Sequence, residues 1–283
     1  MAPAPVTGDA HGRGGWRTFG ALAAAAVFAL PLLLLVSGSL RQAGLPPPPT
    51  PELIPDPVDT GSYARAIELG GLGRATLNSL GVAAVAVPLS VLVASWAGFA
   101  MTRVSPRLAR TMVVASLLAL MVPLTALLVP RFAIYRTLGL TDTLVPLVAP
   151  ALVATSPFYV LVFYLAFRAL PRDLYDVCRL EELSPLRTWW QVGMPLVRPV
   201  TVAVAALTFV LTWSSFLEPL VYIYDRTLFT VPLALRSLST LDPTDYPLFL
   251  AGSVLASIPA LLLFGVAQRR FLHQYRGPGW LGR

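Results

Sequence analysis

The sequence contains no lysine, one cysteine, two histidines and few charges of any kind. Each shortage excludes something. A nucleotide-binding P-loop needs a lysine on the β- and γ-phosphates, so this chain cannot carry one. Schiff-base lysine chemistry is excluded as well. A single cysteine, Cys178, rules out an intrachain disulfide and a cysteine metal cluster. The histidines, His11 and His273, lie near opposite ends and read as solvent-exposed rather than as ligands. Charged residues are 12% of the 283, against roughly 25% in a soluble domain. Hydrophobic residues are 56% and the mean hydropathy is +0.70. The chain therefore reads as a polytopic membrane protein whose length is counted in spans. Its arginines divide among loops instead of forming one patch, so the net charge of +7 does not point to nucleic acid.

Apolar runs at 19–40, 77–101, 112–130, 145–167, 200–224 and 247–267 predict an all-α fold of six transmembrane helices. At 1.5 Å per residue such runs match a hydrocarbon core of about 30 Å. Residues 1–18 are expected to be a disordered cytoplasmic tail. A cleaved signal peptide, cut near Ser37-Gly38-Ser39, is the rival reading of the first run. That run exceeds the roughly 7–15 residues of a signal core, which favours an uncleaved span. Residues 41–75 form the one long extracytoplasmic loop. Its proline-rich part, 46–57, should be extended and semi-rigid, either a spacer or a lip that touches an extracytoplasmic partner. Residues 62–69 can form a short helix. The membrane domain proper is 76–271, and 272–283 is a second cytoplasmic tail. Pro31, Pro88, Pro123, Pro150, Pro157, Pro219 and Pro259 fall inside spans, where each frees a carbonyl that neighbours or water must satisfy. Ala94, Ser95, Ala97, Gly98 and Ala100 should let helices pack closely. With the amino terminus inside, 14 arginines fall on the cytoplasmic side and 7 outside, which supports cytoplasmic termini over the inverse topology.

The one long polar stretch between very apolar flanks is 170–199. It carries Asp173, Asp176, Glu181 and Glu182 with Arg172, Arg179, Arg187 and Arg198. Pro171 suits the first turn of a helix over 173–180, with Leu174, Val177 and Cys178 on its apolar face. Ser184 suits the N-cap of a second helix, with Pro185 at its first position. Trp189 and Trp190 follow, and Met194-Pro195 closes the segment. Two short helices exposed between spans make a knob that a cytoplasmic partner can grip.

This stretch resembles the EAA loop of ABC importer permeases, a loop of the form L-P-x-x-L-x-E-A-A-x-x-D-G-A-S followed by an aromatic segment and hydrophobic-x-x-P-L-x-x-P. Leu170-Pro171, Leu174, Arg179, Leu180, Ser184, Pro185, Trp189, Met194-Pro195-Leu196 and Pro199 fall on the pattern. Asn78-Ser79-Leu80 resembles the family's N-S-L, the stretch from Leu138 to Thr143 its G-L-x-D-T, and the stretch from Phe209 to Leu220 its F-x-x-x-W-N-x-F-x-x-P-L. The combination is most similar to the shorter permease subunit of the sugar-importer branch. Departures are Asp176 for Glu, Val177-Cys178 for Ala-Ala, Glu181-Glu182 for Asp-Gly and Ser214 for Asn. A Glu held in the left-handed conformation that glycine permits would cost roughly 1–2 kcal/mol, so either the turn differs or the strain is tolerated.

The resemblance implies a bacterial inner-membrane protein that is not itself an enzyme. It implies a second permease subunit as a heterodimer, two ATPase subunits or a homodimer, and an extracytoplasmic sugar-binding protein. ATP and Mg would be bound by the ATPase, with no cofactor in this chain. Asp176, Val177, Cys178, Arg179, Leu180, Glu181, Glu182, Leu183, Ser184 and Pro185 would dock on the ATPase. Glu218 is the one acid or base inside a span, a functional-site hypothesis by default. With Trp213 as an aromatic face and Ser214 and Ser215 as hydrogen-bonding groups, it is the candidate pathway residue, Ser214 and Glu218 sharing a helix face four apart. The plainer reading places Glu218 in solvent at the outer interface. An importer for another solute and an ion-coupled carrier that uses Glu218 remain as alternatives. A membrane-embedded enzyme does not fit spans without His, Asp, Lys or Arg.

Overall fold

A computed structural model describes residues 12–45, 48, 50, 52–153, 155–241 and 244–274. His11, the side chain of His273, most of both expected tails and four prolines of the 46–57 loop lie outside the described residues. Among the described residues there is no β-strand, only an isolated bridge between Arg41 and Val58. The chain divides into two compact units, 1–70 with 238–255, and 71–237 with 256–283.

In the first unit, α1 (Gly12–Ser39) begins inside the stretch expected to be a tail. Its apolar part is exposed on nearly every side. The loop after it is held by polar contacts rather than by a core. Ser37 donates to the carbonyl of Glu52, Arg41 pairs with Glu52, and the amide of Asp59 donates to Leu40 at 2.8 Å. The expected short helix is α2 (Gly61–Gly70). Tyr63 reaches the Ser39 hydroxyl at 2.7 Å, and Arg65 pairs with the buried Asp245 at 2.6 Å.

The second unit is organised around α3 (Leu72–Met101), which starts five residues before the apolar run suggested. Ala75, Ser79, Ala83, Ala86, Ser90, Ala94 and Gly98 are buried small residues spaced three and four apart so that they share a face, and Ser95 is buried beside them. Ala97 is half-buried and Ala100 exposed, so only part of the expected small-residue set lies inside. A Cβ on Gly98 would stand 2.7 Å from the amide nitrogen of Tyr164 and 2.8 Å from the carbonyl of Val160. The partner at this closest approach is α7 (Pro157–Arg168), whose Phe163 and Phe167 are fully buried against Phe99. It follows α6 (Val145–Val153) in the same apolar run.

Two expected spans are broken. The run at 112–130 is not one helix: α4 (Pro106–Leu120) ends, a 3-10 turn and α5 (Leu128–Thr137) follow, and the axes differ by 87°. Pro123 explains the break, because proline disfavours helix at the residue before it and offers no N–H to close the turn. The run at 200–224 is also interrupted. After α8 (Arg172–Leu180), the one-turn helices α9 (Pro185–Arg187) and α10 (Met194–Leu196) lead into α11 (Arg198–Trp213), which meets the preceding segment at 84°. α11 stops at Trp213, and a separate α12 (Leu217–Tyr222) follows. A continuous helix would set the ring of Pro219 against the carbonyl of Ser215; instead Pro219 sits in the first turn of α12, where its missing N–H costs nothing. The chain ends with α13 (Val231–Leu241) and α14 (Tyr246–Gln274). Among the described residues four helices are long and apolar enough to cross a membrane, and up to six if each bent pair is one span.

Candidate functional site

The polar stretch folds as the two-helix knob its sequence predicts, with differences in detail. Pro171 is the N-cap of α8, and the helix starts at Arg172, one residue before the expected 173. Leu174, Tyr175 and Cys178 face the body of the unit, while Val177 is 56% exposed, so the apolar face expected from Leu174, Val177 and Cys178 is rotated. The turn after α8 has Glu182 at φ +50°. The amide of Leu183 donates to Cys178 and that of Glu182 to Arg179, both at 3.0 Å. This 6→1 and 5→2 pair is a Schellman motif, the C-cap that glycine favours. The usual turn is thus retained, with a glutamate carrying the left-handed strain. Ser184 then caps α9, its hydroxyl accepting from the amide of Arg187 at 3.4 Å, with Pro185 in the first helical position.

Three residues seat the knob. Tyr175 donates its hydroxyl to the carbonyl of Phe167 at 2.9 Å. Burial pushes the pKa of that hydroxyl up, against the pull of the Arg103 cation, so it remains a proton donor. The Arg103 guanidinium lies 4.8 Å from the ring centres of both Phe99 and Tyr175, a doubled cation–π contact. Trp189 is buried among Phe163, Phe167 and Val204 and stacks on Trp96 at 5.8 Å. It sits in a π-helical segment, Thr188–Gly193, just before Pro195. Pro195 removes a donor and its ring crowds the carbonyl of Gln191, and a wider turn relieves that clash. The outer surface of the knob carries Asp176, Arg179, Glu181 and Glu182 around exposed Leu180 (83%), Leu186 and Trp190. The Asp176–Arg179 pair, 3.1 Å apart and largely solvated, is worth only about 0.3–0.5 kcal/mol.

The second cluster surrounds Glu218 on α12. Arg131 on α5 donates to one carboxylate oxygen at 3.3 Å and Ser215 to the other at 3.3 Å. Both charged side chains are 18% exposed, so Glu218 is neither isolated nor freely solvated. Ser214 does not share a helix face with it, because α11 ends between them, and its hydroxyl donates to the carbonyl of Val210. Trp213 is buried, with Phe209 stacked on it at 5.6 Å and its indole N–H donated to Ala256 at 3.1 Å, so it presents no open aromatic face in this chain.

Four residues of this neighbourhood carry no site role in the sequence reading. Arg131 was visible only as one of the arginines outside the expected cytoplasmic loops. Asp142, at φ +60°, accepts from the amides of Tyr224 at 2.9 Å and Asp225 at 2.8 Å and so fixes the chain leaving α12. Asn78 donates to the carbonyls of Thr227 and Phe229, and Ser79 accepts from the amide of Val231, tying α3 to the start of α13. Both of the latter fall in short polar motifs inside apolar surroundings, which is the signal that marks such stitches.

Comparison with known proteins bears on what this arrangement belongs to. The family described as the binding-protein-dependent transport system inner membrane component matches residues 86–276, a stretch that holds both the knob and Glu218. The chain belongs to this family. It is a multi-pass inner-membrane component of a transport system, not a catalyst. This permease is 30% identical over 200 residues to a lactose transport system permease protein of Rhizobium radiobacter, covering 71% of this chain and 72% of the relative. It is 32% identical over 195 residues to an arabinooligosaccharides transport system permease protein of Halalkalibacterium halodurans, covering 69% of each. A trehalose transport system permease protein of Mycobacterium tuberculosis is 28% identical over 246 residues, 86% of this chain and 89% of that one. In fold, the permease matches a chain of the crystal structure of a bacterial ABC transporter involved in import of the acidic polysaccharide alginate. The TM-score is 0.72 at 17% identity, over 95% of this chain and 100% of that one.

Proposed function

We propose that the chain is the shorter of two permease subunits of an ATP-driven importer for a sugar, handed over by an extracytoplasmic binding protein. The observation that carries the proposal is the knob: a rigidly seated base and an outer face of Leu180, Leu186 and Trp190 ringed by carboxylates. Large apolar side chains with flanking charge are what a partner cleft can bury. Asp176 to Pro185 are the docking residues and the partner is an ATPase subunit, two copies of which bind ATP and Mg. Closing of the ATPase pair moves the knobs and switches the permease pair between outward- and inward-open states. On this reading each bent pair is one span, six in all, and the knob and both termini are cytoplasmic, the orientation that the distribution of 14 and 7 arginines supports.

A sugar is favoured because similar relatives carry lactose, arabinooligosaccharides and trehalose in their names, and because the pathway candidates are polar but nearly charge-neutral as a group. Glu218 paired with Arg131, together with Ser215 and Ser214, offers hydrogen bonds to hydroxyls without a net charge. Trp213 contributes by holding the end of α11 in place.

The test is co-purification in mild detergent with mass spectrometry of the associated chains. An ATPase, a second permease and a binding protein are expected, with ATP hydrolysis by the complex. A chain that purifies alone and transports without nucleotide would overturn the proposal. Topology is checked with a Leu180→Cys probe in a Cys178→Ala background: an impermeant maleimide should label it in inside-out vesicles and not in right-side-out spheroplasts.

A further inference from the structure

Where α3 and α7 end and α4 and α8 begin, the structure holds a cavity of about 530 Å³. Its lining joins three arginines, Arg110, Arg168 and Arg172, to an apolar wall that includes Met101, Val113 and Phe167. No carboxylate among the described residues lines it. Arg168 reaches the Tyr164 hydroxyl at 3.4 Å, while Arg110 and Arg172 have no hydrogen-bond or ion-pair partner among the described residues. All three are exposed. Asp176, the acid one turn along α8 from Arg172, is already paired with Arg179. Like charges gathered around one space without a counter-ion repel, and an anion placed there relieves the repulsion.

The apolar wall narrows the choice of anion. Val113 lies one turn beyond Arg110 on α4, and the same helix goes on to expose Val114, Leu117 and Leu118. A ligand that uses the whole site carries a phosphate at one end and hydrocarbon at the other. A free phosphate would leave the apolar wall unused. The volume lies in the range of about 300–1,000 Å³ typical of small-ligand sites, enough for a headgroup and the top of a chain but not for a whole lipid. Guanidinium forks match phosphate oxygens in pairs, and basic pockets between membrane helices hold lipid headgroups in this way.

The geometry points to a binding site for an anionic phospholipid, its phosphate held by Arg110, Arg168 and Arg172 and its acyl chain laid along Val113 and the outer face of α4. The lipid comes from the leaflet on the knob side. That this is the cytoplasmic leaflet rests on the orientation proposed above. The cavity shares Tyr175 and Arg172 with the base of the knob, so the bound headgroup braces the element proposed to carry the coupling.

The test uses the purified full chain and native mass spectrometry with added dioleoylphosphatidylglycerol or dioleoylphosphatidylcholine. One phosphatidylglycerol should be retained in preference to phosphatidylcholine. The double variant Arg110→Gln/Arg172→Gln should bind it about thirtyfold more weakly, at about 1 kcal/mol per basic residue. Arg187→Gln removes a charge from the knob outside the cavity and should leave retention unchanged. Equal retention of the two lipids, undiminished binding in the double variant, or an equal loss in Arg187→Gln would overturn the site. Displacement by inorganic phosphate alone would assign it to a free anion and overturn the lipid assignment. None of these outcomes depends on orientation, which the Leu180→Cys labelling reports separately.

Discussion

Glu182 sits in the left-handed region at φ +50°, at the C′ position of the Schellman motif that ends α8. Relief of a left-handed L-residue is worth roughly 1–2 kcal/mol, and the backbone entropy of glycine takes back about 0.5–1 kcal/mol. Glu182→Gly should therefore raise the stability by about 0.5–1 kcal/mol, seen as a higher Tm in detergent; a lower Tm would show that the carboxylate makes a compensating contact. Trp189 gives a second residue-scale prediction. Its ring is buried but its indole N–H has no partner among the described residues. Trp189→Phe should keep the fold, whereas Trp189→Ala should cost about 3–5 kcal/mol by leaving a cavity under the knob. Equal losses in the two variants would mean that the N–H is used. At the other cluster, Glu218→Ala leaves the part-buried Arg131 without its counter-charge, a change expected to cost stability and to lower uptake. Replacing both partners, as Arg131→Met with Glu218→Gln, should recover stability but not uptake if the pair lines the pathway. Full uptake in the double variant would reduce the pair to a structural role.

Among the elements, α3 has the most neighbours, and its packing on α7 depends on Gly98. A Cβ would meet two backbone atoms of α7 and the Cβ of Phe163, none of which can move without displacing the helix. Gly98→Ala should cost about 1–3 kcal/mol through forced separation, and Gly98→Val more. Thermal unfolding of the two variants checks this, and wild-type behaviour of Gly98→Val would show that α7 is free to shift. Elements are also where sequence reasoning succeeded and failed for physical reasons. Short local signals placed Ser184, Pro185 and the helix before them correctly, because caps depend on residues three or four positions away. The breaks at Leu120 and Trp213 were not legible. Ten prolines lie in the apolar runs, and a proline in a membrane helix can kink it, start it or end it according to which neighbour satisfies the freed carbonyl. Pro88 and Pro259 lie inside continuous helices, whereas Pro123 and Pro219 accompany breaks.

At the scale of the whole molecule, fold class was legible because a span is a statement about composition, and family was legible because four motifs occur in order. The Glu218–Arg131 pair was not, since its members lie 87 residues apart and nothing local joins them. Nor was the packing of Trp213, which reads from sequence as an available ring and in the fold is closed off by Phe209 and Ala256. The knob is proposed to transmit work done elsewhere. The most direct test of this role is the pair of substitutions Glu181→Arg and Glu182→Arg, introduced together and assayed for membrane insertion, uptake and ATP hydrolysis by the complex. Both carboxylates are exposed and the turn is held by backbone bonds, so the protein should insert and keep its fold. The variant complex should reach the membrane but no longer couple hydrolysis to uptake. Uptake at the wild-type rate would contradict this role.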